Sequence, residues 1–136
     1  MPEPVAGHML IDTGASSTCI SQQAAEALAL KPSGVGQSHG AHGLRPVLQY
    51  VARLYISFEH EGGTFQTVRE GQVMAVPDLE KAMPPTLLAG GTPVKLVGLL
   101  GRDFLRYVTF HYHGDEGRFM IRVHADSLVR PSKKPQ

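Results

Sequence analysis

Hydrophobic and polar residues alternate along several stretches of the chain, which is the pattern of β-strands that bury one face. Two long stretches of this kind, residues 45–58 and 64–76, are separated by Gly62-Gly63 and are predicted to be consecutive strands. Shorter apolar stretches at residues 94–100, 107–112 and 118–123 predict three more strands, and a hairpin loop joins the last two. The chain is therefore predicted to be mostly β.

Helical patterns are confined to short segments. Ser21 is a suitable N-cap for residues 22–30, which are rich in Ala, Leu, Gln and Glu, because a serine hydroxyl can accept a hydrogen bond from a free backbone N–H of the first turn. A second, shorter helix is predicted at residues 102–106, and at most a short helix around residues 79–83. The buried side of the first helix is predicted to consist of Ala24, Ala27, Leu28 and Leu30.

One domain is expected for a chain of 136 residues, and we assign it to residues 10–129. Residues 1–9 are an N-terminal extension or, at residues 6–9, a cloning scar. Residues 130–136 form a polar, proline-containing tail that is expected to be disordered. The glycine-rich segment 34–43 is expected to be a mobile loop or a hairpin tip.

The composition excludes several classes of protein. The chain has 13 basic and 12 acidic side chains, so its net charge of +1 gives no strong field to recruit nucleic acid or an anionic membrane. No apolar run approaches the roughly 18 residues that span a bilayer, and the first residues lack the pattern of a signal peptide. Cys19 is the single cysteine, which excludes an internal disulfide and a cysteine-rich zinc site. We expect a cytoplasmic location with neither nucleic acid nor membrane as a partner.

The strongest candidate for chemistry is Asp12-Thr13-Gly14. Two carboxyl groups about 3 Å apart cannot both ionise, so a pair that shares one proton supplies both the base and the acid needed to hydrolyse a peptide bond. Such a carboxylate must project from a sharp loop, which glycine permits, and a neighbouring hydroxyl can lock that loop. The tripeptide alone is also an ordinary turn sequence, so its meaning depends on its context.

Two histidine pairs, His39/His42 and His111/His113, have spacings that a metal could use. No cysteine or carboxylate pattern accompanies them, and surface or strand histidines are the better interpretation. The glycines of residues 34–36 lack the third glycine and the preceding strand of a dinucleotide-binding loop. The sequence therefore predicts neither a metal nor a cofactor.

The context of the tripeptide resembles a known family. Residues 10–18 (LIDTGASST) are similar to the active-site loop of the retropepsin-like aspartic proteases. That family has a second signature, in which apolar residues precede a glycine and a short helix, and residues 97–105 (VGLLGRDFL) are similar to it. The predicted hairpin at residues 107–123 resembles the protease domains of the DNA-damage-inducible shuttle proteins. The resemblance covers residues 10–123, which is most of the chain.

The resemblance implies a retropepsin-like acid protease barrel with one clear helix and one short C-terminal helix. It also implies an aspartic endopeptidase whose active site forms between two subunits, acting on a peptide or unfolded protein. Since the chain has one Asp-Thr-Gly and no Asp-Ser-Gly, it must form a homodimer for this chemistry, with Asp12 of each subunit as the catalytic residue. Thr13 would brace the two loops across the interface, while Gly14 and Ala15 would shape the active-site loop.

Further roles follow from the same resemblance. A flap that closes over the substrate is expected at the glycine-rich segment, with these residues in it: Gly34, Gly36, Gly40 and Gly43. A structural motif is expected at the start of the short helix, formed by these residues: Leu100, Gly101, Arg102 and Asp103. Retroviral members often have an Asp where this chain has Ser16, and that Asp pairs with the arginine of the motif. Arg102 therefore needs another partner, either Asp103 or a backbone carbonyl.

The N-terminus suits a dimer interface poorly, because only nine residues precede Leu10. We expect the interface to use the Asp12 loop and residues 118–123, with Phe119 and Ile121 packing across the two-fold axis. Two alternatives stay open. The chain is a catalytically silent binding or dimerisation module on the same fold, or it is a self-processing domain of a larger protein.

Overall fold

The computed structural model describes residues 2–40, 43–79, 95–123 and 128–129. Strands dominate these residues and the two helices are short, which confirms the mostly-β prediction. The predicted helix at residues 79–83, apart from Leu79, and the predicted tail at residues 130–136 lie outside the described residues. The elements follow one another as β1 (His8–Ile11), β2 (Cys19–Ser21), α1 (Gln22–Ala27), β3 (Gly34–Gly40), β4 (Gly43–His60), β5 (Gly63–Val76), β6 (Leu96–Leu100), α2 (Arg102–Leu105), β7 (Val108–His113), β8 (Arg118–Val123) and β9 (Leu128–Val129).

Most of the described strands join one sheet, in the order β1-β6-β2-β5-β4-β3, with β9 paired to β5. β1 and β6 run parallel, whereas β2 and β6 run antiparallel. Through these two pairings, β6 lies between the strand that precedes the Asp12 loop and the strand that follows it. The described strands leave this sheet open, with β1 and β3 at its ends, and β7 and β8 form a separate two-stranded sheet.

The core lies on one face of the long β4–β5 ribbon, where alternation places every second side chain inward. The ribbon is antiparallel and in register from Gln49–Met74 to His60–Gly63. Its inward residues pack with side chains of β2 and α1, in a cluster formed by Ile20, Ala25, Tyr50, Ala52, Val73 and Ala75. The boundaries of β4 and β5 agree with the alternation seen in the sequence to within two residues, whereas residues 34–40, expected to be a mobile loop or a hairpin tip, form the paired strand β3.

Helix α1 begins as predicted and ends earlier. The Ser21 hydroxyl accepts a hydrogen bond from the Ala24 N–H at 3.1 Å, which confirms the N-cap. The helix ends at Ala27, because Leu28 forms the C-cap and Ala29 adopts a left-handed backbone with φ of 49°. The predicted buried stripe is therefore wrong in part.

The buried side chains of α1 are Ala24 and Ala25, whereas Ala27 is exposed. A six-residue helix is too short to carry a stripe that continues to residue 30. Leu30 still packs against the core, but it does so from the segment after the helix. Among the described residues, neither helix has the length and apolar character needed to cross a membrane.

Candidate active site

Asp12 stands at the end of β1, where the strand leaves the sheet. Its backbone N–H donates to the Leu100 carbonyl of β6 at 3.0 Å, which continues the β1–β6 pairing by one residue. Its Oδ1 accepts a hydrogen bond from the Gly14 N–H at 2.9 Å, and its own carbonyl accepts one from the Ala15 N–H at 3.2 Å. The half-buried carboxylate is thus held through one oxygen by the tight turn that the sequence predicted.

Arg102, the first residue of α2, binds the carbonyls of the same loop. Its Nη1 donates to the Thr13 carbonyl at 3.0 Å and to the Gly14 carbonyl at 3.1 Å. Its backbone N–H donates to the Ala15 carbonyl at 2.8 Å. Of the two partners expected for Arg102, the structure has the backbone carbonyls. Three successive carbonyls of the loop therefore find their donors on one residue.

Asp103 binds elsewhere. Its carboxylate accepts hydrogen bonds from the Thr18 N–H at 2.9 and 3.0 Å and from the Thr18 hydroxyl at 2.6 Å. It also accepts one at 2.8 Å from the Phe104 N–H in the first turn of α2, which donates to the Gly101 carbonyl at 3.1 Å as well. The side chain expected as one possible partner of Arg102 therefore ties α2 to the far end of the Asp12 loop.

Thr18 was not identified as a site residue from the sequence. It is 2% exposed, and its hydroxyl both donates to Asp103 and accepts from the Gly101 N–H at 3.1 Å. A polar residue directly before the buried strand Cys19–Ser21 was the available signal. That signal is weak, because a threonine in such a place is usual in strands and loops.

Gly98 and Gly101 permit the close approach of the two motifs. A Cβ at Gly101 would lie 2.5 Å from the Ser17 carbonyl carbon and 2.9 Å from the Thr18 nitrogen. A Cβ at Gly98 would lie 2.4 Å from the Cys19 carbonyl oxygen. Both contacts are with backbone, so no side-chain movement could relieve them. The glycines of the second motif are thus explained by the chain segment at residues 17–19 that packs on them.

Cys19 lies beside this network but is unsuited to nucleophilic chemistry. Burial of the side chain, and after it the charges of Asp103 and Asp12, raise the pKa of the thiol above its ordinary value of 9.0. Its Sγ donates to the Ser17 carbonyl at 3.6 Å. Because the thiolate is the reactive form of cysteine, Cys19 remains an inert side chain near neutral pH.

The residues expected in a flap lie along the β3–β4 hairpin. Gly34 and Gly36 are in β3, and the side chain of Gln49 lies against both of them. Gly40, the last residue of β3, pairs with Gly43, the first residue of β4. No hydrogen bond among the described residues joins this hairpin to the Asp12 loop. One face of the hairpin exposes three apolar side chains, namely Val35, Leu44 and Leu48.

The β7–β8 hairpin separates apolar from polar side chains. Directly paired residues share a face of a sheet, and one face of this hairpin consists of Val108, Phe110, Tyr112, Phe119, Ile121 and Val123. Tyr112 is 70% exposed and Phe119 is 56% exposed, so much of this face meets solvent in the single chain. The opposite face carries Thr109, His111, His113, Arg118, Met120 and Arg122.

The histidine pairs remain separate from the Asp12 loop in the described part of the chain. His111 and His113 lie on the polar face of β7, and His39 lies in β3. Within the described ranges, no three side chains of His, Cys, Asp or Glu lie close enough together to hold a metal ion. His42 lies outside the described residues.

A family model described as aspartyl protease matches residues 3–104, which is well over half of the chain. The matched range contains both the Asp12 loop and the motif Leu100 to Asp103, and it confirms the resemblance drawn from those two motifs. No curated protein and no solved structure matches the chain significantly.

Proposed function

We propose that the chain, which belongs to the aspartyl protease family of the retropepsin-like clan, is an endopeptidase that uses Asp12 from each of two identical subunits. The observation that carries this proposal is the set of hydrogen bonds that holds Asp12 and its loop in place. Its carboxylate projects from a turn whose carbonyls are bound by Arg102 and whose Gly14 N–H fixes one carboxylate oxygen. A pair of carboxyls can share a proton only if each is held in place, and this loop supplies that rigidity.

The chemistry requires one ionised and one protonated carboxyl. The ionised carboxylate takes a proton from a water molecule as the water oxygen attacks the peptide carbonyl carbon. The protonated carboxyl gives its proton to the carbonyl oxygen, which yields a tetrahedral diol. When the C–N bond of the diol breaks, a carboxyl proton goes to the departing amine and one diol hydroxyl returns its proton to the dyad. The dyad ends as it began, and the water is consumed.

Other residues of the site take supporting roles in this proposal. Thr13, exposed on the turn, would meet its counterpart across the two-fold axis and brace the two loops. Gly14 and Ala15 would form the floor against which an extended substrate lies. The β3–β4 hairpin, with Gly34, Gly36, Gly40 and Gly43, would close over that substrate and exclude water by strand-like pairing.

The apolar face of the β7–β8 hairpin supports a second copy as its partner. A contiguous apolar patch that meets solvent is typical of an interaction surface. A symmetric dimer would bury this face against the same face of the second copy. Phe119 and Ile121, expected at the interface, both lie on this face. We therefore place the dimer contact on the apolar face and leave the histidine-bearing face to solvent.

Substitution of Asp12 by Asn tests the catalytic proposal. Asn keeps the size of the side chain but cannot act as a general base or a general acid, and general acid–base catalysis is typically worth about 10²–10⁴-fold. Cleavage of a denatured protein, followed by mass spectrometry, should fall by at least about a hundredfold. Asp115→Asn, in the exposed β7–β8 turn, is the matched control and should cleave like wild type. An Asp12→Asn variant within twofold of wild type would refute the proposal, whereas a wild type that cleaves nothing would favour a non-catalytic binding module.

Two neighbouring residues of β8 test the interface. Phe119 and Met120 are 56% and 60% exposed but face opposite sides of the hairpin. Phe119→Asp should weaken the dimer and the activity together, because it buries an unpaired carboxylate at the contact. Met120→Asp should change neither. Sedimentation equilibrium and activity, measured over the same range of protein concentrations, show whether the dimer and the activity are lost together. A wild type that cleaves protein where only monomer is present contradicts the two-subunit site.

A further inference from the structure

We propose that Thr18 and Asp103 are positioning residues for Asp12, acting together as an anchor at the far end of the active-site loop. The inference rests on the proposed function for its catalytic consequence but not for its geometry. Neither side chain bonds to Asp12 itself. Their effect on the reaction passes through the loop of residues 13–17, which they hold against the start of α2.

The anchor is a closed set of hydrogen bonds. The Thr18 hydroxyl donates to Asp103 Oδ1 at 2.6 Å and accepts from the Gly101 N–H at 3.1 Å, so both of its roles are used. The Thr18 N–H donates to both carboxylate oxygens of Asp103 at 2.9 and 3.0 Å. Thr18 is 2% exposed and Asp103 is half-buried, so the bonds are shielded from water on the Thr18 side. Shielding strengthens such bonds and makes the loss of one of them costly.

The loop is bound at three places by four successive residues. Leu100 accepts from the Asp12 N–H at the near end, and Arg102 binds three carbonyls in the middle. Asp103 and Gly101 bind Thr18 at the far end. If the far end were released, the loop would keep its near and middle contacts but could pivot about them. Asp12 would then be present, but not held where its partner carboxyl needs it.

The chemistry of the anchor allows conservative variants with opposite outcomes. Val matches the shape of Thr18 but has no hydroxyl, so it leaves the Gly101 N–H without its acceptor and removes one donor from Asp103. Ser retains the hydroxyl and should restore both bonds. At Asp103, Asn has nearly the shape of Asp, but both carboxylate oxygens of Asp103 accept hydrogen bonds. The NH₂ group of Asn would replace one of these oxygens and face a donor instead of accepting from it. These variants separate hydrogen bonding from packing.

The experiment measures kcat and KM of the dimer for Thr18→Val, Thr18→Ser and Asp103→Asn, at a concentration where each variant is fully dimeric. A misplacement of about 1 Å can cost about a hundredfold in rate, so we expect kcat of Thr18→Val and Asp103→Asn to fall by about ten- to a hundredfold. KM should change less than kcat, because the β3–β4 hairpin proposed to pair with the substrate lies outside the released loop, and Thr18→Ser should recover most of kcat. Thr109→Val, on the exposed polar face of β7, is the control.

A second readout does not depend on activity. The Gly14 and Ala15 amide hydrogens both donate to Asp12, so their exchange with solvent reports directly on the hold of the loop on that residue. Exchange at these two amides should be about tenfold faster in Thr18→Val and normal in Thr18→Ser. The far-ultraviolet circular dichroism of each variant should match wild type, which excludes global unfolding as the cause.

The two readouts distinguish the inference from the function on which it rests. Faster loop exchange in a protein whose wild type cleaves nothing supports the anchor and refutes the protease. A Thr18→Val variant with wild-type exchange and wild-type kcat overturns the anchor while leaving the protease intact. A fall in kcat that Thr18→Ser fails to recover also overturns it, because the hydroxyl would then not be the cause.

Discussion

Gly101→Ala is the substitution whose effect the structure defines best. The added Cβ would lie 2.5 Å from the Ser17 carbonyl carbon, 2.6 Å from its oxygen and 2.9 Å from the Thr18 nitrogen. All three atoms are backbone, so the loop and α2 must move apart. The backbone of Gly101 itself adds no strain, because its φ of −89° and ψ of −178° are open to alanine.

The cost can be estimated from its parts. Overpacking a well-fitted interior typically costs about 1–3 kcal/mol. The movement also lengthens the hydrogen bond from the Gly101 N–H to the Thr18 hydroxyl, and a bond of this kind contributes about 1 kcal/mol. Replacing glycine restricts the unfolded chain and returns about 0.4–1 kcal/mol. We therefore expect the free energy of unfolding to fall by about 2–3 kcal/mol, which is a large share of the 5–15 kcal/mol typical of a domain.

The measurement is urea unfolding of wild type and variant at one protein concentration, because dimerisation would otherwise alter the apparent stability. Gly71→Ala is the matched control. Gly71 lies in β5 with no atom within 4 Å of its added Cβ, so this variant should be as stable as wild type or more stable by up to about 1 kcal/mol. If Gly101→Ala proved as stable as Gly71→Ala, the close approach of the two motifs would be wrong.

Two further predictions concern the segment just after the active-site loop. Ser21→Ala removes the N-cap bond to the Ala24 N–H and should lower the free energy of unfolding by about 1–2 kcal/mol in urea titrations, whereas Ser21→Asp should retain much of it. Because burial raises the pKa of Cys19, the native thiol should react with a thiol reagent at neutral pH far more slowly than in the unfolded chain. The raised pKa favours the protonated thiol in the folded state, so this stabilisation is complete below the ordinary pKa of 9.0 and is lost as pH rises from there through the raised pKa of the folded state. Cys19→Ala should therefore have a smaller alkaline loss of stability than wild type, and equal losses would contradict the pKa argument.

The sequence predicted β4 and β5 well because their pattern is local, whereas the glycine-rich β3 has no such pattern and was expected to be a loop or a hairpin tip. Alternation over residues 45–58 and 64–76 corresponds to β4 and β5 to within two residues at each end. The end of α1 could not be read in the same way, because Ala27 and Leu28 are good helix formers. The helix stops there because the chain turns at Ala29 to bring Leu30 onto the core, which is a tertiary effect.

The Asp12 loop was recognisable in the sequence because its characteristic residues are contiguous. The residues that hold the loop in place were not recognisable, because they lie far apart in the sequence. The Thr18–Asp103 bonds join residues 85 positions apart, and no periodicity links the two. The sequence left Arg102 with two possible partners, because every residue type has a backbone carbonyl and no sequence pattern shows which carbonyl will accept a hydrogen bond. Only the placement of β6 between β1 and β2 brings the start of α2 under the loop.

The Asp12 loop and the apolar face of the β7–β8 hairpin differ in whether they depend on a second copy of the chain. The bonds from Leu100, Arg102 and Asp103 lie within one chain, so the loop has its shape without a partner. The apolar face leaves Phe119 largely exposed in that same chain. Folding of the loop and assembly of the dyad are therefore separate steps in the proposed enzyme. Dilution should abolish activity while the loop amides keep their protection, because only the second carboxyl is lost.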